Sequence, residues 1–327
     1  APTFWADKAL PSSSRVTCNA KEAMRGLMNA GSHCSVNSVV QCLAASIGDV
    51  LSSRGPTAGR EFSAEHAEAI VANLASLIAE MSGDSGRGPC DPQGLIEALD
   101  RTYGTSFGTM QDDAESAFKC IVEALRSSGQ EDLKRAGTAW DIPTEIRVAC
   151  LGCRGTVHSE RFESSTLPVY VAADEGTVLQ GYIDRHSEMS TKVELSHRCK
   201  CCGELTMFEH VCEIASLPGS FLCVKLMRAT WHSRIRSEER YVFAESLDAS
   251  RLLRRETLDR REALYDLRGV IAHRGTCDLG HYFAYVRRGD SWFVADDEII
   301  QGCSWERVQE SYGGLEGAAY MLIYVRR

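Results

Sequence analysis

Cys34 stands in "GLMNAGSHCSVNSVVQCL", Gly26 to Leu43, between a glycine-rich turn and a segment with helical apolar spacing. A thiol at a helix start lies near unpaired backbone N–H groups and the positive end of the helix dipole, which favour the thiolate. That is the chemistry of a nucleophile, provided a base and a group to orient the base come within reach. The plain alternative is a buried cysteine filling space, the commonest fate of a free thiol. A candidate base is His281, in "GTCDLGHYFAYVRRGDSWFVADDEII", although most of the nine histidines should be structural or solvent-facing. If "HYFAYV" and "SWFVAD" form a hairpin turning at Arg288-Gly289, Val286 meets Ser291 and His281 falls directly opposite Asp296. Directly opposed side chains share a sheet face, so the carboxylate would hold the imidazole and stabilise its cation. The register is an assumption, because arginine is not the preferred first residue of a two-residue turn.

A second constellation is built from cysteines alone. Cys150-Leu-Gly-Cys153 and Cys199-Lys-Cys-Cys202 form two C-x-x-C pairs, the donor set of a closed, structural tetrahedral zinc site. The long gap between the pairs suits strands that leave and return rather than a small isolated finger. A redox pair is the alternative, but one pair would suffice for it and no thioredoxin-like βαβ pattern surrounds either. Cys201 could replace Cys202 as a ligand, though the x-x spacing favours Cys202.

The elements that must position these residues change character along the chain. Up to about residue 140 the apolar spacing is helical. Ile70, Val71, Leu74, Leu77, Ile78 and Met81 share one helical face. Asp91 reads as an N-cap with Pro92 at the first helical position, and "QDDAESAFKCIVEALRSSG" reads as a helix ending before Gly129. From about Pro143 the pattern is strands: "EIRVAC", "LTMFEHVCEI", "FLCVKLM", "LRGVIAH", "HYFAYV", "SWFVAD" and "AAYMLIYV". Several are apolar on both faces, as central strands of a covered sheet should be. Helices first and strands later predict an α+β architecture. Residues 54–61, 82–90 and 229–239 read as surface loops.

At 327 residues the chain can bury the core of one large domain with subdomains, or of two domains. It is 44% hydrophobic and 25% charged, the balance of a globular protein. A net charge of −9 argues against a nucleic-acid partner and suits a basic protein one. With no apolar run that could act as a signal peptide or cross a bilayer, the expectation is a cytoplasmic or nuclear protein without a membrane span. The fourteen cysteines are then expected as reduced thiols, metal ligands or a nucleophile rather than disulfides.

The chain resembles the ubiquitin-specific proteases. Their cysteine box, roughly G-L-x-N-x-G-x-x-C-x-x-N-S-x-x-Q-x-L, is matched by Gly26, Leu27, Asn29, Gly31, Cys34, Asn37, Ser38, Gln41 and Leu43. Their histidine box is matched by Gly280, His281, Tyr282, Tyr285, Trp292, Asp296 and Asp297. "QDDAESAF" and "AAYMLIYV" are similar to two further family segments, so the likeness runs from about Gly26 to Arg327. It implies a papain-like core with thumb (about 26–140), zinc-binding fingers (about 143–215) and palm (mainly 216–327), after an N-terminal extension over 1–25. It also implies Cys34 as nucleophile, His281 as general base and acid, Asp296 as orienter and Asn29 as oxyanion donor, with Asp297 assisting or only bonding a loop. Asn37 and Gln41 would support the site. This chain departs from the pattern at Ser32-His33, Ser35 and Ala295, none of which removes a required group; His33 reads as a packing or specificity change.

The implied activity is isopeptide hydrolysis after the Gly-Gly tail of a ubiquitin-like modifier, with structural zinc in the fingers. Chain length and the tail "SWERVQESYGGLEGAAYMLIYVRR" are most similar to the interferon-induced branch, which implies a two-domain interferon-stimulated modifier, or ubiquitin, and its conjugates as partners. A general deubiquitinase, a scaffold on the same fold and a general papain-like peptidase are the competing readings.

Overall fold

The computed structural model describes residues 24–52, 62–83, 88–171, 178–186, 190–228, 237–253, 260–276, 280–314 and 316–327. The expected N-terminal extension and the loops at 54–61 and 229–239 fall wholly or mostly outside them. Among the described residues five helices come first: α1 (Cys34–Ser52), α2 (Phe62–Ser82), α3 (Gln93–Tyr103), α4 (Ala114–Arg126) and α5 (Glu131–Thr138). The six apolar residues predicted to share a face of α2 are all buried. Asp113 caps α4 by accepting from the Glu115 N–H at 2.7 Å. In α3 the cap position is Pro92 rather than Asp91, but the Asp91 carboxylate still accepts from the Gln93 N–H at 2.9 Å.

Strands dominate from residue 142 onward: β1 (Ile142–Cys150), β2 (Thr156–Ser164), β3 (Leu167–Tyr170), β4 (Ser190–Arg198), β5 (Leu205–Ile214), β6 (Phe221–Met227), β7 (Ser246–Asp248), β8 (Leu264–Gly275), β9 (Gly280–Arg288), β10 (Ser291–Asp296), β11 (Ile299–Cys303) and β12 (Ala318–Arg326). Two short helices interrupt them, α6 (Leu179–His186) and α7 (Trp305–Gln309). The mixed α+β class expected from the sequence is the observed one. The strands form an antiparallel four-stranded sheet, order β2-β1-β5-β4, and an eight-stranded sheet, order β11-β10-β9-β8-β12-β6-β3 with β7 also on β8. In the large sheet β3 runs parallel to β6, and in the chain it falls between β2 and β4 of the small sheet.

Helix α1 lies on one face of the large sheet over β8, β9 and β10. One apolar core fills the space between the helices and that face, with Val36, Val40 and Leu43 of α1 against Ile271, Ala284 and Phe293. A second core covers the opposite face around Leu222, Val270, Tyr285 and Leu322. Burial on both sides explains why these strands read as continuous apolar runs. Trp140 links helices to sheet, its ring 5.0 Å from Phe118 and 4.6 Å from Phe221. Among the described residues the small sheet's apolar cluster is slight: Val148, Cys150, Cys199 and Phe208, with Val157 against them. No helix of the described residues is long and apolar enough to cross a membrane.

The hairpin of β9 and β10 corrects the register expected above. Ser291 pairs with Arg288 and Ala295 with Ala284, so the two-residue turn is Gly289-Asp290, not Arg288-Gly289. Gly289 has φ 54°, which glycine adopts without the steric cost that arginine at the first turn position would meet. His281 is therefore not directly opposite Asp296; its strand partner is Arg274. The shift is by two residues, which preserves the side-chain face, so His281 and Asp296 remain diagonal neighbours on one surface.

Candidate active site

Cys34 is the first residue of α1 and is 4% exposed. The loop before it is fastened at several points. Met28 N–H donates to Cys90 O at 2.9 Å, Cys90 N–H to Gly26 O at 2.8 Å, and Leu27 N–H to Asp297 O at 2.8 Å. Gly26 passes so close to the turn after β10 that a Cβ would lie 2.2 Å from Glu298 O. Only glycine fits there, and that contact brings the cysteine loop against the end of the histidine hairpin.

His281, at the start of β9, places Nε2 2.5 Å from Asp296 Oδ1. With that nitrogen engaged, the ring's other nitrogen is the one left for Cys34, which acts on the imidazole together with Asp296. Burial lowers the imidazole pKa, but the hydrogen bonds and charges of Asp296 and Cys34 overcome it and raise the pKa to about 9. Asp296 is held below the usual carboxylate range: burial acts upward, and His281 and Arg274 act downward more strongly. An imidazole charged at neutral pH, bonded to a carboxylate and beside the Cys34 sulfur, is equipped to deliver a proton to a leaving group.

Asn29 and Asp297 meet at the same place. Asn29 Nδ2 donates to Asp297 Oδ2 at 2.7 Å, and its Oδ1 accepts from the N–H groups of Gly31 and His33 at 2.9 and 3.0 Å. Asp297 Oδ1 accepts from Asn37 Nδ2 at 2.8 Å, and its Oδ2 lies 3.8 Å from His281 Nε2. Gln41 Nε2 donates to Arg25 O at 3.1 Å. His33 is buried, with Nδ1 accepting from the Ala30 N–H at 3.5 Å, which is a packing position. The five residues singled out as catalytic candidates therefore converge on one site.

Two contributors carried no assigned role in the sequence. Gln111 grips the backbone of Gly280 from both sides, Nε2 to O at 2.8 Å and N–H to Oε1 at 3.3 Å, just before His281. Arg274 Nη2 lies 3.1 Å from Asp296 Oδ2. A basic residue ending the apolar run of β8 was the available signal for Arg274, but it needed the β8–β9 register to be read.

The four paired cysteines also come together. Their sulfurs all lie within 4.8 Å of one another, with Cys150 to Cys202 and Cys153 to Cys199 both 3.9 Å. Tetrahedral zinc–thiolate bonds of 2.3 Å set sulfurs about 3.8 Å apart, so the set fits that ion. Backbone N–H groups turn inward as metal knuckles require, Cys153 to Cys150 Sγ at 3.4 Å and Cys201 to Cys199 Sγ at 3.3 Å. Each pair is closed by a left-handed residue, Arg154 at φ 62° and Gly203 at φ 75°. Donation from the backbone N–H groups of Cys202 and Cys201 holds the Cys199 thiol down at about 6. Cys201 lies beside the cluster but outside the four.

A family model described as ubiquitin carboxyl-terminal hydrolase matches residues 25–324. Among curated proteins, the chain is 28% identical to "Ubl carboxyl-terminal hydrolase 18" of Mus musculus over 96% of this chain and 89% of that protein. The Homo sapiens protein of the same name is also 28% identical, over 92% of this chain and 84% of its own. "Ubiquitin carboxyl-terminal hydrolase 17-like protein D" of Mus musculus is 24% identical over 92% of this chain and 54% of its own.

Proposed function

Because this chain belongs to the ubiquitin carboxyl-terminal hydrolase family, whose members are cysteine-type hydrolases of ubiquitin-like conjugates, we propose that it cleaves the isopeptide bond between a modifier's C-terminal glycine and a substrate lysine. The observations that carry this reading are the His281–Asp296 pair at 2.5 Å and the neighbouring Cys34 at the N-terminus of α1. In the proposed reaction Cys34, as a thiolate beside the His281 imidazolium, attacks the glycine carbonyl carbon and forms a C–S bond. His281 gives its proton to the lysine nitrogen as the C–N bond breaks. His281 then takes a proton from water, whose oxygen attacks the thioester carbon. The C–S bond breaks, Cys34 leaves as the thiolate and the modifier departs as its carboxylate, its remaining proton going to solvent. Asn29 keeps a second amide hydrogen to offer the oxyanion, while Asp297 fixes the carboxamide. Asp296 orients the imidazole and balances its charge.

The helical half is taken as thumb (about 26–140), the segment about 143–215 as fingers, and 216–327 as palm of a papain-like core. Within the second span β3 and α6 lie with the large sheet rather than the small one. Cys150, Cys153, Cys199 and Cys202 would hold a structural zinc ion, which supplies folding energy to the fingers and takes no part in hydrolysis.

The preferred modifier is proposed to be the two-domain interferon-stimulated one. The names and coverage of the mouse and human relatives at 28% identity support a ubiquitin-like protein as substrate. A general deubiquitinase is the second reading, favoured by the 17-like relative's name. One experiment tests both levels: turnover of the two-domain modifier, its C-terminal domain and ubiquitin, each carrying the same fluorogenic amide. Wild-type protein should process the two modifier forms at least tenfold faster than ubiquitin, about 1.4 kcal/mol in kcat/KM, and Cys34→Ala should process none. Residual turnover in Cys34→Ala would end the catalytic assignment; equal rates on all three would leave a general deubiquitinase.

A further inference from the structure

The pairing of β8 with β9 sets Arg274 opposite His281, so both side chains rise from one face. Asp296 reaches between them. Its Oδ1 faces His281 Nε2 at 2.5 Å and its Oδ2 faces Arg274 Nη2 at 3.1 Å. The guanidinium has a floor of its own, lying 5.4 Å from the centre of the Phe283 ring. That ring is seated on Gly317, where a Cβ would come within 2.8 Å of it. Both ends of the arginine are thus defined, one by an aromatic face and one by a carboxylate oxygen.

Asp296 sits at the last position of β10, where the strand gives way to the left-handed turn at Asp297. A carboxylate held by the imidazole alone can rotate about its Cβ–Cγ bond, and a second donor on the other oxygen removes that freedom. We infer that Arg274 is a positioning residue for the hydrolysis, gripping the oxygen of Asp296 that His281 leaves free and so keeping the carboxylate turned toward the imidazole. This rests on the proposed roles of His281 and Asp296.

The charged groups facing His281 are Cys34 from α1, Asp296 and Asp297 from the end of β10, and Arg274 from β8. Removing Arg274 has two opposite consequences for the imidazole. Loss of a nearby cation, with the carboxylate in place, raises its pKa. Loss of the carboxylate's orientation lowers it. Positioning therefore predicts a fall, and electrostatics alone predicts a rise.

The test measures the His281 titration by NMR in histidine-labelled full-length Cys34→Ala protein, with the resonance assigned by His281→Gln. Arg274→Met, Arg274→Lys and Asp296→Asn are then introduced, and kinetics are measured on the same variants with Cys34 intact and a fluorogenic modifier amide as substrate. Expected are a His281 pKa in Arg274→Met displaced downward toward that of Asp296→Asn and a kcat about tenfold lower with KM within threefold. Arg274→Lys should restore part of both. A His281 pKa that stays or rises, with kcat within about twofold of wild type, overturns the inference. If Arg274→Met melts early, Arg274→Gln repeats the measurement with a polar side chain at this half-exposed site. Wild-type turnover in His281→Gln would instead overturn the underlying catalytic reading, so the two failures are distinct.

Discussion

Asp297 holds a left-handed backbone, φ 50°, a conformation that costs a non-glycine residue about 1 kcal/mol. In return its two carboxylate oxygens and its carbonyl take donors from Asn29, Asn37 and Leu27, all in the cysteine loop or the first turns of α1. Asp297→Ala should therefore reduce kcat at least tenfold on the same fluorogenic substrate, because the Asn29 carboxamide loses the partner that aims it. Unaltered kcat would reduce Asp297 to a loop contact. The charge state of His281 gives a second expectation. Its folded value lies above its unfolded one, so its contribution to stability is full below about pH 6.5 and lost as pH rises through about 9. The basic limb of kcat/KM should fall at about the same pH as the imidazolium is lost; a profile flat to pH 10 or beyond would contradict it. That His281 and Asp296 share a face was legible from strand parity, which a register error of two residues leaves intact, whereas Cys34 was placed with them by the family boxes. Asp297's partnership with Asn29 and Asn37 was not, because it crosses between chain segments with no common periodicity to align them.

Among elements, the small sheet was the hardest to read. Strand β2, "TVHSERFES", is mostly exposed and polar on both faces, so it lacks the period-two alternation that marks a half-buried strand. Strands β6, β8, β9, β10 and β12 of the large sheet carry apolar runs because something covers them. Among the described side chains the small sheet instead gathers a few apolar groups around Cys150 and Cys199, two of the four cysteines that could hold a metal. A zinc ion bound by the four cysteines would add folding energy to this sheet through metal–sulfur bonds. Purified protein should accordingly hold about one equivalent of zinc. Stripping it with a chelator should abolish amide-exchange protection in β1 and β5 while protection in β8, β9 and β12 survives. Uniform loss across both sheets, or no loss in either, would remove the special dependence of the small sheet on metal.

At the scale of the whole molecule, the order of patterns along the chain was informative: helical spacing gave way to strands near Pro143, and the fold is α+β. How the strands are ordered across a sheet was not, since apolar runs identify interior strands without naming their neighbours. The large sheet illustrates this with β12, which follows every other strand in the chain yet lies between β8 and β6. Its Tyr324 is fully buried and bonds Ala244 O through its hydroxyl at 2.8 Å. Deleting residues 318–327 should thus leave a chain without a cooperative melting transition, whereas trimming an edge strand would only lower the midpoint. The same placement sets a timetable for the chain during synthesis. Helices α1 to α5 can leave the ribosome and gather early, but β8 and β6 lack the strand that joins them until residue 326 has been made. Until then they expose unpaired edges and apolar faces, the condition in which nascent chains associate wrongly. The large sheet can therefore close only when its last strand has emerged.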